Sequence, residues 1–394
     1  MMGQITLMLI VNIILGILSV LLLLLIINLC TFYRLRATTN ATAGAMPSVS
    51  ILIPARNEEH CIATCVRSLI SQQYEDLEVL VLDDQSNDAT ATIVQRMIDS
   101  LPPAQQGRLR LLDGTPLPNN WIGKNFACYQ LAQHVQSDYL FFTDADTVHA
   151  PDTVKTVIDY MQRCNIQLLT AQPEHVLESL GEFLVVPLLN FTILTLLPVA
   201  LVRLRPEPSL ATGNGQLLCF RRSAYEALGG HAAVKGRILE DVWLARAIKA
   251  AGYRMAFVDA MNLVSCRMYR TFKEVWTGFS KNLFAFYNYS LIFALLALML
   301  NLTLFVAPPL LLLVTPLVTL PSILVFSASI AYVLAVFMRI LLTLRFTRVK
   351  QGLMLLLCLF HPVSIVLECL ILLNSIWWHY RKKGTVWKGR QYLR

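Results

Sequence analysis

The chain has 394 residues, 56% of them hydrophobic and only 15% charged, with a mean hydropathy of +0.56. That balance argues against a wholly water-exposed enzyme, and 17 Gly and 17 Pro among abundant Leu, Ile and Val fit neither a disordered nor a fibrous chain. The formal charge of +8 is unevenly placed, because residues 34–282 carry 23 basic against 24 acidic side chains. A central block without basic excess has little with which to neutralise a run of phosphates, so nucleic acid is not expected as a partner.

Residues 1–33 contain no Asp, Glu, Lys or Arg, and Ile5 to Leu29 is nearly all apolar. About 20 such residues cross a bilayer. A cleaved signal peptide would need a basic start, a shorter apolar core and a small-residue cleavage site, so the expectation is an uncleaved anchor. Arg34 and Arg36 on its downstream side place the central block, residues 34–282, in the cytoplasm. Nine Cys at irregular spacing agree with a reducing compartment rather than a disulfide framework. Cys61 and Cys65 have no matching pair nearby and are expected to be small buried residues.

The block begins with a β-rich run at Val49–Pro54, followed by Ala55-Arg56-Asn57-Glu58-Glu59 and a helix through Ile70. A second strand at Leu77–Leu82 ends on Asp83-Asp84. Ser86 to Thr90 supplies N-capping side chains for the next helix. Leu109–Leu112 is a third strand, and Asp138–Thr143 a fourth that ends at Asp144-Ala145-Asp146. Strands alternating with helices predict an α/β domain with a mostly parallel sheet, whose ligands bind at the carboxyl ends of the strands. No dinucleotide or P-loop glycine motif is present.

An apolar stretch at 183–204, interrupted by Pro187, Asn190 and Pro198, lies inside the block. A single crossing there would separate the chemistry on its two sides, so it is expected in the membrane interface, as a hairpin, or as a buried helix pair. Ile238 to Ile248 then reads as a helix with Ile238, Val242, Ala245 and Ile248 on one face and Glu240 and Asp241 at its amino end. Leu291–Thr315, Pro321–Leu342 and Leu353–Leu373 are candidate spans of a C-terminal membrane region, residues 283–376, with possible reversals at Pro308-Pro309, Pro316, Pro321 and His361-Pro362. The tail, residues 377–394, is basic and is expected on the cytoplasmic side, with Trp377-Trp378 in an interfacial belt. His134, His149 and His175 are isolated and read as surface or capping residues.

Asp144 and Asp146 are the main chemical signal. Alternate side chains of an extended segment point the same way, so both carboxylates can address one hard divalent cation, which in turn can bridge a diphosphate. Asp241 has the position of a general base for an acceptor hydroxyl.

Pro54-Ala55-Arg56-Asn57-Glu58, Asp83-Asp84-x-Ser86-x-Asp88, Asp144-Ala145-Asp146 and Glu240-Asp241, in this order and spacing, resemble the inverting family 2 glycosyltransferases with a GT-A (Rossmann-like) fold. The resemblance covers roughly residues 47–282. Trp121-Ile122-Gly123-Lys124-Asn125, Gly229-Gly230-His231, Arg267-Met268-Tyr269 and Val386 to Tyr392 are similar to the membrane-anchored bacterial carotenoid glycosyltransferases, which act on diaponeurosporenoate and related acceptors. The motif order is also similar to that of ceramide and hopanoid-lipid glycosyltransferases.

The resemblance implies a role for each matching position. Pro54, Ala55, Arg56, Asn57, Glu58, Asp83 and Asp84 would hold the nucleoside of a UDP-hexose, and Lys124 would approach its diphosphate or sugar. Asp144 and Asp146 would hold Mn2+ or Mg2+. Asp241 would be the base with Glu240 orienting it, and Gly213, Asn214, Gly215 and Gln216 would line the sugar and acceptor pocket. The Gln/Arg-x-x-Arg-Trp motif of processive relatives is absent. Trp276 to Asn282 stands in the comparable place, with Trp276 and Lys281 on the acceptor side. Trp387 to Arg390 either folds back near the donor or binds anionic lipid. The resulting expectation is a membrane-bound enzyme moving a sugar to a hydroxyl or carboxyl of a lipid. A processive polysaccharide synthase, or a non-catalytic nucleotide-sugar-binding membrane protein, would be the alternative.

Overall fold

The computed structural model describes residues 2–36, 46–348, 351–381, 385–387 and 390–392. Lys382, Lys383, Lys388 and Arg394 of the basic tail, and the Lys388-Gly389 centre of the Trp387–Arg390 motif, lie outside the described residues.

Helix α1 (Met2–Thr31) leads to strand β1 (Val49–Ala55), α2 (Ile62–Ile70), β2 (Leu77–Asp83), α3 (Thr90–Asp99), β3 (Leu109–Asp113), α4 (Gly123–Gln133) and β4 (Tyr139–Phe142). Then come β5 (Thr147–His149), α5 (Thr153–Arg163), β6 (Leu168–Gln172), β7 (Glu174–Val176), α6 (Leu180–Val185), α7 (Pro187–Leu196) and α8 (Val199–Leu204). The domain closes with β8 (Leu218–Arg221), α9 (Arg222–Ala227), α10 (Glu240–Ala250), β9 (Met255–Asp259), β10 (Val264–Cys266) and α11 (Phe272–Phe286). The C-terminal helices are α12 (Leu291–Asn301), α13 (Ala307–Val314), α14 (Ser322–Phe346), α15 (Gln351–Cys358) and α16 (His361–Tyr380).

The main sheet runs β3-β2-β1-β4-β8-β6-β9. It is parallel except for β8, which is antiparallel to both β4 and β6. Strand alternation splits its side chains between two cores. Ile51, Ile53, Val79, Val81, Tyr139 and Phe141 enter one with α2 and α5. Leu52, Leu80, Leu82, Leu140, Phe142 and Phe220 enter the other, which is continuous with Leu18 and Leu25 of α1 and Phe191 of α7. Each such fully buried side chain contributes about 1.5–3 kcal/mol. A smaller sheet joins Thr347-Arg348 to β7, β7 to β10 and β10 to β5.

The four strands expected up to residue 143 are all present, within a residue at each end. One expected capping run is met by Asp88, and one helix start differs from expectation. Helix α3 begins at Thr90 with Ala89 at the cap position, and Asp88 Oδ1 accepts the Thr90 N–H at 3.0 Å from one residue further back. Helix α10 starts at Glu240, leaving Ile238 outside it. Its buried face is Glu240, Leu244, Ala245, Ile248 and Lys249, which keeps Ala245 and Ile248 of the expected face and leaves Val242 half-buried, and Gly213 packs closely on the backbone at Asp241.

Among the described residues four helices are long and apolar enough to cross a membrane: Ile5–Thr31, Leu291–Val314, Ser322–Phe346 and His361–Tyr380. The stretch expected to span from Leu353 to Leu373 is instead broken between α15 and α16, where Pro362 at the start of α16 cannot continue the preceding helix. Leu359 O accepts from Tyr332 Oη at 2.7 Å at this break. The helix from Leu291 passes through a π-turn at Leu302–Val306 just ahead of Pro308-Pro309.

Residues 183–204 do not form a single crossing, since β6 before them and β8 after them are paired strands of one sheet. The segment breaks at Pro187 and Pro198 into α6, α7 and α8. The amide of Asn28, near the end of α1, donates to Leu194 O and Leu197 O at 2.7 and 2.8 Å and accepts the Val199 N–H at 3.0 Å. It thereby satisfies the backbone groups that the α7–α8 break leaves open.

A second tie sits at Asp259, which is fully buried at the end of β9. Its carboxylate takes Arg34 Nε at 2.9 Å from the end of α1 and Arg345 Nη2 at 2.8 Å from the end of α14.

Candidate functional site

The carboxyl ends of β1, β2 and β4 open on one edge of the sheet, where registry sets Ala55 beside Asp83 and Leu52 beside Phe142. The loops after β1 and β2 are stitched together. Asn57, in the left-handed region at φ 52°, donates its N–H to Ser86 Oγ at 3.0 Å and accepts from Asn87 N at 2.9 Å. Asn is among the few non-glycine residues that adopt that conformation readily. Glu58 N donates to Thr90 Oγ1 at 2.8 Å, and the Arg56 guanidinium donates to the carbonyls of Asp84 and Gln85. Asp83 accepts from Ser86 N at 3.1 Å, while its other oxygen, Oδ1, is buried without a hydrogen bond. These residues therefore form a closed two-loop cradle with one carboxylate oxygen spare.

The Asp144–Asp146 turn is braced from behind. Thr143 Oγ1 donates to Gln216 O at 2.8 Å and Thr147 Oγ1 to Asp144 O at 2.8 Å, with His149 Nε2 at 3.0 and 2.9 Å from the two hydroxyls. Burial pushes the His149 imidazole down to about 3, so it stays neutral. His149 and His175 are both deeply buried rather than at the surface; a lone histidine carries no pattern that would show this. His134, by contrast, does take a capping position at the end of α4.

Lys124, in the first turn of α4, joins the distant acids. Its Nζ lies 2.7 Å from Asp144 Oδ1 and 2.9 Å from Glu240 Oε1. Burial works against its charge, but Asp144 and Glu240 prevail and hold the ammonium protonated well above the ordinary lysine range. Gly215 covers this bridge, and a Cβ there would sit 2.6 Å from Lys124 Nζ and 3.5 Å from Asp144 Oδ2. The Gly215 N–H donates to Asp241 Oδ2 at 3.0 Å. Burial, and then the like charge of Glu240, push the Asp241 carboxyl up to about 7 from its ordinary 3.8. Asn214 and Gln216 anchor the same loop, Asn214 N donating to Thr170 Oγ1 at 2.9 Å and Gln216 N to Asn214 Oδ1 at 3.0 Å.

Pro54, Lys124, Asp144, Gly215 and Glu240 share one small cleft with Cys128 and His231. Beside Asp146 lie Cys266, whose thiol receives Gln216 Nε2 at 2.9 Å, and the buried phenol of Tyr269. Burial and the charges of Asp146 and Asp144 push both of these groups up. The flanks of Asp146 follow from the β5–β10 pairing, which no local sequence signal announces. Trp276 packs on Phe272 at 6.0 Å against an apolar cluster of Phe183 and Phe279 that Tyr269 also joins. Lys281 lies further along the same helix.

Asp144 and Asp146 offer hard carboxylate oxygens two residues apart, which suits Mn2+ or Mg2+. Among the described residues no group of three or more His, Cys, Asp or Glu is arranged to hold a metal. An ion there would take its other ligands from a diphosphate or water, and the missing side chain at Gly215 keeps that approach to Asp144 open.

Residues 50–225 match the model of the glycosyl transferase family 2. The 4,4'-diaponeurosporenoate glycosyltransferase of Staphylococcus haemolyticus (strain JCSC1435) is 31% identical over 250 residues, covering 60% of this chain and 61% of that protein. Its counterpart in Staphylococcus aureus (strain USA300) is 28% identical over 245 residues, covering 60% of each chain. The chain thus spans about three fifths of the length of these curated relatives. A mannosyltransferase from Pyrobaculum calidifontis, solved with GDP-Man and Mn2+, shares the fold at a TM-score of 0.57 and 17% identity, over 92% of this chain and 99% of that one. The carboxylates at the ends of β2 and β4 thus lie in the segment that matches glycosyl transferase family 2, within a fold of GT-A type, on a chain whose described residues include four helices apolar enough to span a membrane.

Proposed function

We propose that the protein is a membrane-embedded inverting glycosyltransferase that moves a hexose from a UDP-sugar to a hydroxyl or carboxyl of a lipid acceptor such as a carotenoid. The observation that carries this reading is the bridge from Asp144 through Lys124 to Glu240, with Asp241 held alongside by the Gly215 N–H. Three acidic groups from two distant parts of the sequence thereby meet at the rim of one sheet. The relatives named for diaponeurosporenoate support a carotenoid acid as the acceptor, and the apolar helices support a membrane-dissolved one.

In this reading the cradle of Arg56, Asn57, Glu58 and Asp83 binds the nucleoside, with the spare Asp83 oxygen accepting from the base or ribose. Asp144 and Asp146 would hold Mn2+ or Mg2+, which when bound stabilises the charge that develops on the departing diphosphate. Asp241 takes the proton of the acceptor O–H as that oxygen bonds to the anomeric carbon and the bond to the diphosphate breaks. A carboxyl titrating near 7 is matched to that proton transfer at neutral pH. Lys124 fixes the positions of Asp144 and Glu240, and Gly213 and Gly215 let the loop approach closely enough to orient Asp241. The catalytic domain is proposed to lie on the cytoplasmic side, where nucleotide sugars are made.

The test is turnover by the full chain in detergent with a UDP-hexose and a carotenoid acid, followed by release of UDP and by the mass of the lipid product. Divalent metal should be required, chelation should stop the reaction, and Asp146→Ala should abolish it. Unchanged turnover in Asp146→Ala would reject the assigned metal role, while a polymeric product would replace this reading with polysaccharide synthesis.

A further inference from the structure

Buried polar atoms without partners gather in the apolar helical layer, away from the carboxylates. Asn190 on α7 is 2% exposed, Arg339 on α14 3%, and His361 and Ser364 on α16 0% and 1%. Asn190 Oδ1 and Nδ2, both ring nitrogens of His361, Ser364 Oγ and Arg339 Nη1 make no hydrogen bond. Each such group costs about 1–3 kcal/mol when left unsatisfied, and the apolar layer supplies no bulk water to relieve it. The Phe191 ring, next to Asn190 in the chain, stands 4.7 Å from the His361 ring, and Phe305 stands 5.2 Å from His361 and 5.4 Å from Phe191, so the three rings pack as one cluster. Ser364 is one turn beyond His361 on the same helix.

Arg339 makes this more than a wet void. Its Nη2 donates to the carbonyls of Phe183 and Leu184 at 2.7 and 3.2 Å, yet no carboxylate among the described residues pairs with it within 4.0 Å. Glu368, a turn past Ser364, is the acid that faces it from a distance. The guanidinium is seven residues short of the end of α14 at Phe346, about 10 Å of helix. A cation at that depth is rare and is normally neutralised by a partner, and water can fill hydrogen bonds but cannot neutralise it.

We infer that Arg339, Asn190, His361 and Ser364 form a seat for the anionic oxygen headgroup of a lipid amphiphile, a carboxylate or a phosphate, whose apolar chain runs against Phe191 and Phe305. The seat offers an amide N–H, a ring N–H, a hydroxyl and a guanidinium N–H, which are the donors such a headgroup requires. It does not rest on the sugar-transfer reading. Among the described residues no hydrogen bond or ion pair joins it to the Lys124 bridge.

Native mass spectrometry of the purified full chain tests this, titrating separately with oleate, dioleoylphosphatidylglycerol and dioleoylphosphatidylcholine. Wild type should take up oleate or phosphatidylglycerol in a single saturable adduct, at least tenfold more readily than phosphatidylcholine. Arg339→Gln should weaken that adduct at least tenfold, and Arg339→Lys should retain part of it. Asn190→Leu removes two orphaned atoms and keeps an apolar side chain of similar size, so it should fold as well as wild type and still bind less. Preference for oleate would assign a carboxylate and preference for phosphatidylglycerol a phosphate. Equal retention of all three lipids, or adducts unchanged in both Arg339→Gln and Asn190→Leu, would return the cluster to buried water and overturn the seat.

Discussion

Replacing Gly215 by Ala separates the ionic bridge from the fold that carries it. The added Cβ would lie 2.6 Å from Lys124 Nζ, 3.5 Å from Asp144 Oδ2 and 3.6 Å from Glu240 Oε1. The last two are ordinary contacts. The first is not, but the obstructing atom is the tip of a flexible side chain, so the ammonium moves aside rather than the backbone. Gly215 is not in the left-handed region, so alanine adopts its backbone without strain and restricts the unfolded chain, a gain of about 0.4–1 kcal/mol that offsets the local crowding. Stability should therefore change by less than about 1 kcal/mol, a shift in melting temperature of no more than ~4 °C for a domain of this size. Turnover should fall far more. Losing one preorganised charge from a transition-state site costs about 10²–10³ in kcat. Release of UDP at saturating donor, measured beside thermal melting of the same preparation, gives both numbers. Full turnover with an unchanged melt would show that Lys124 need not sit between Asp144 and Glu240. A melt lowered by more than ~8 °C would make Gly215 a structural glycine and remove the separation on which the reasoning depends.

The raised Asp241 carboxyl predicts that kcat/KM with a hydroxyl acceptor climbs with pH and levels off above about 7. Glu240→Gln should move that climb to lower pH without erasing it, because burial is the larger cause; an unmoved profile would discount the like-charge contribution. For stability the sign is opposite. Between its ordinary 3.8 and about 7 the folded protein keeps a proton that the unfolded chain has lost, so this group makes the protein less stable as pH rises through that window. Asp241→Asn should flatten that slope in melts taken across the same range. At the domain–helix junction, Asp259→Ala leaves Arg34 and Arg345 without their shared carboxylate. Breaking a buried pair costs about 3–5 kcal/mol, and since each guanidinium keeps more than a quarter of its surface in solvent the low end, about 3 kcal/mol, is expected in detergent melts.

Period and punctuation in the sequence were enough to locate the strands that end on Asp83-Asp84 and Asp144, because alternating β-branched and aromatic runs closed by acidic turns leave little else to form. Asp241 was legible from its place at a helix start. The means by which it meets Asp144 was not. Lys124 was expected near the diphosphate, and its contact with two acids, one of them more than a hundred residues away, depends on how α4 and α10 pack over the sheet. Of the face expected for α10, Ala245 and Ile248 are buried, while Val242 is half-buried and Ile238 lies outside the helix, since a helix period fits several registers. Cys266 and Tyr269 come to Asp146 through the pairing of β5 with β10, three residues long and antiparallel, too short to leave a pattern. The bracing of the Asp144–Asp146 turn by His149 was invisible because a single histidine among apolar residues looks the same whether it faces solvent or a pair of threonines.

The path of the chain between β6 and β8 ties the chemistry to the apolar layer. After Gln172 it passes through the β7 edge into α6, α7 and α8, and within nine residues of Leu204 it reaches Gly213, where the loop that orients Asp241 begins. Asn28 pins the middle of this excursion to α1, and Arg339 pins its start to α14. Asp259 fixes the ends of the same two helices to the sheet. A shift of α6–α8 relative to the domain would therefore pull on the Gly213–Gln216 loop, while a shift of α1 or α14 is resisted at both of its attachments. Such a framework holds Asp241 and the apolar surface at a fixed separation. In the proposed reaction a small water-soluble acceptor would gain nothing from that constraint. A long apolar acceptor would gain a great deal, because its polar end would have to arrive beside Asp241 while the rest of the molecule stays among the helices.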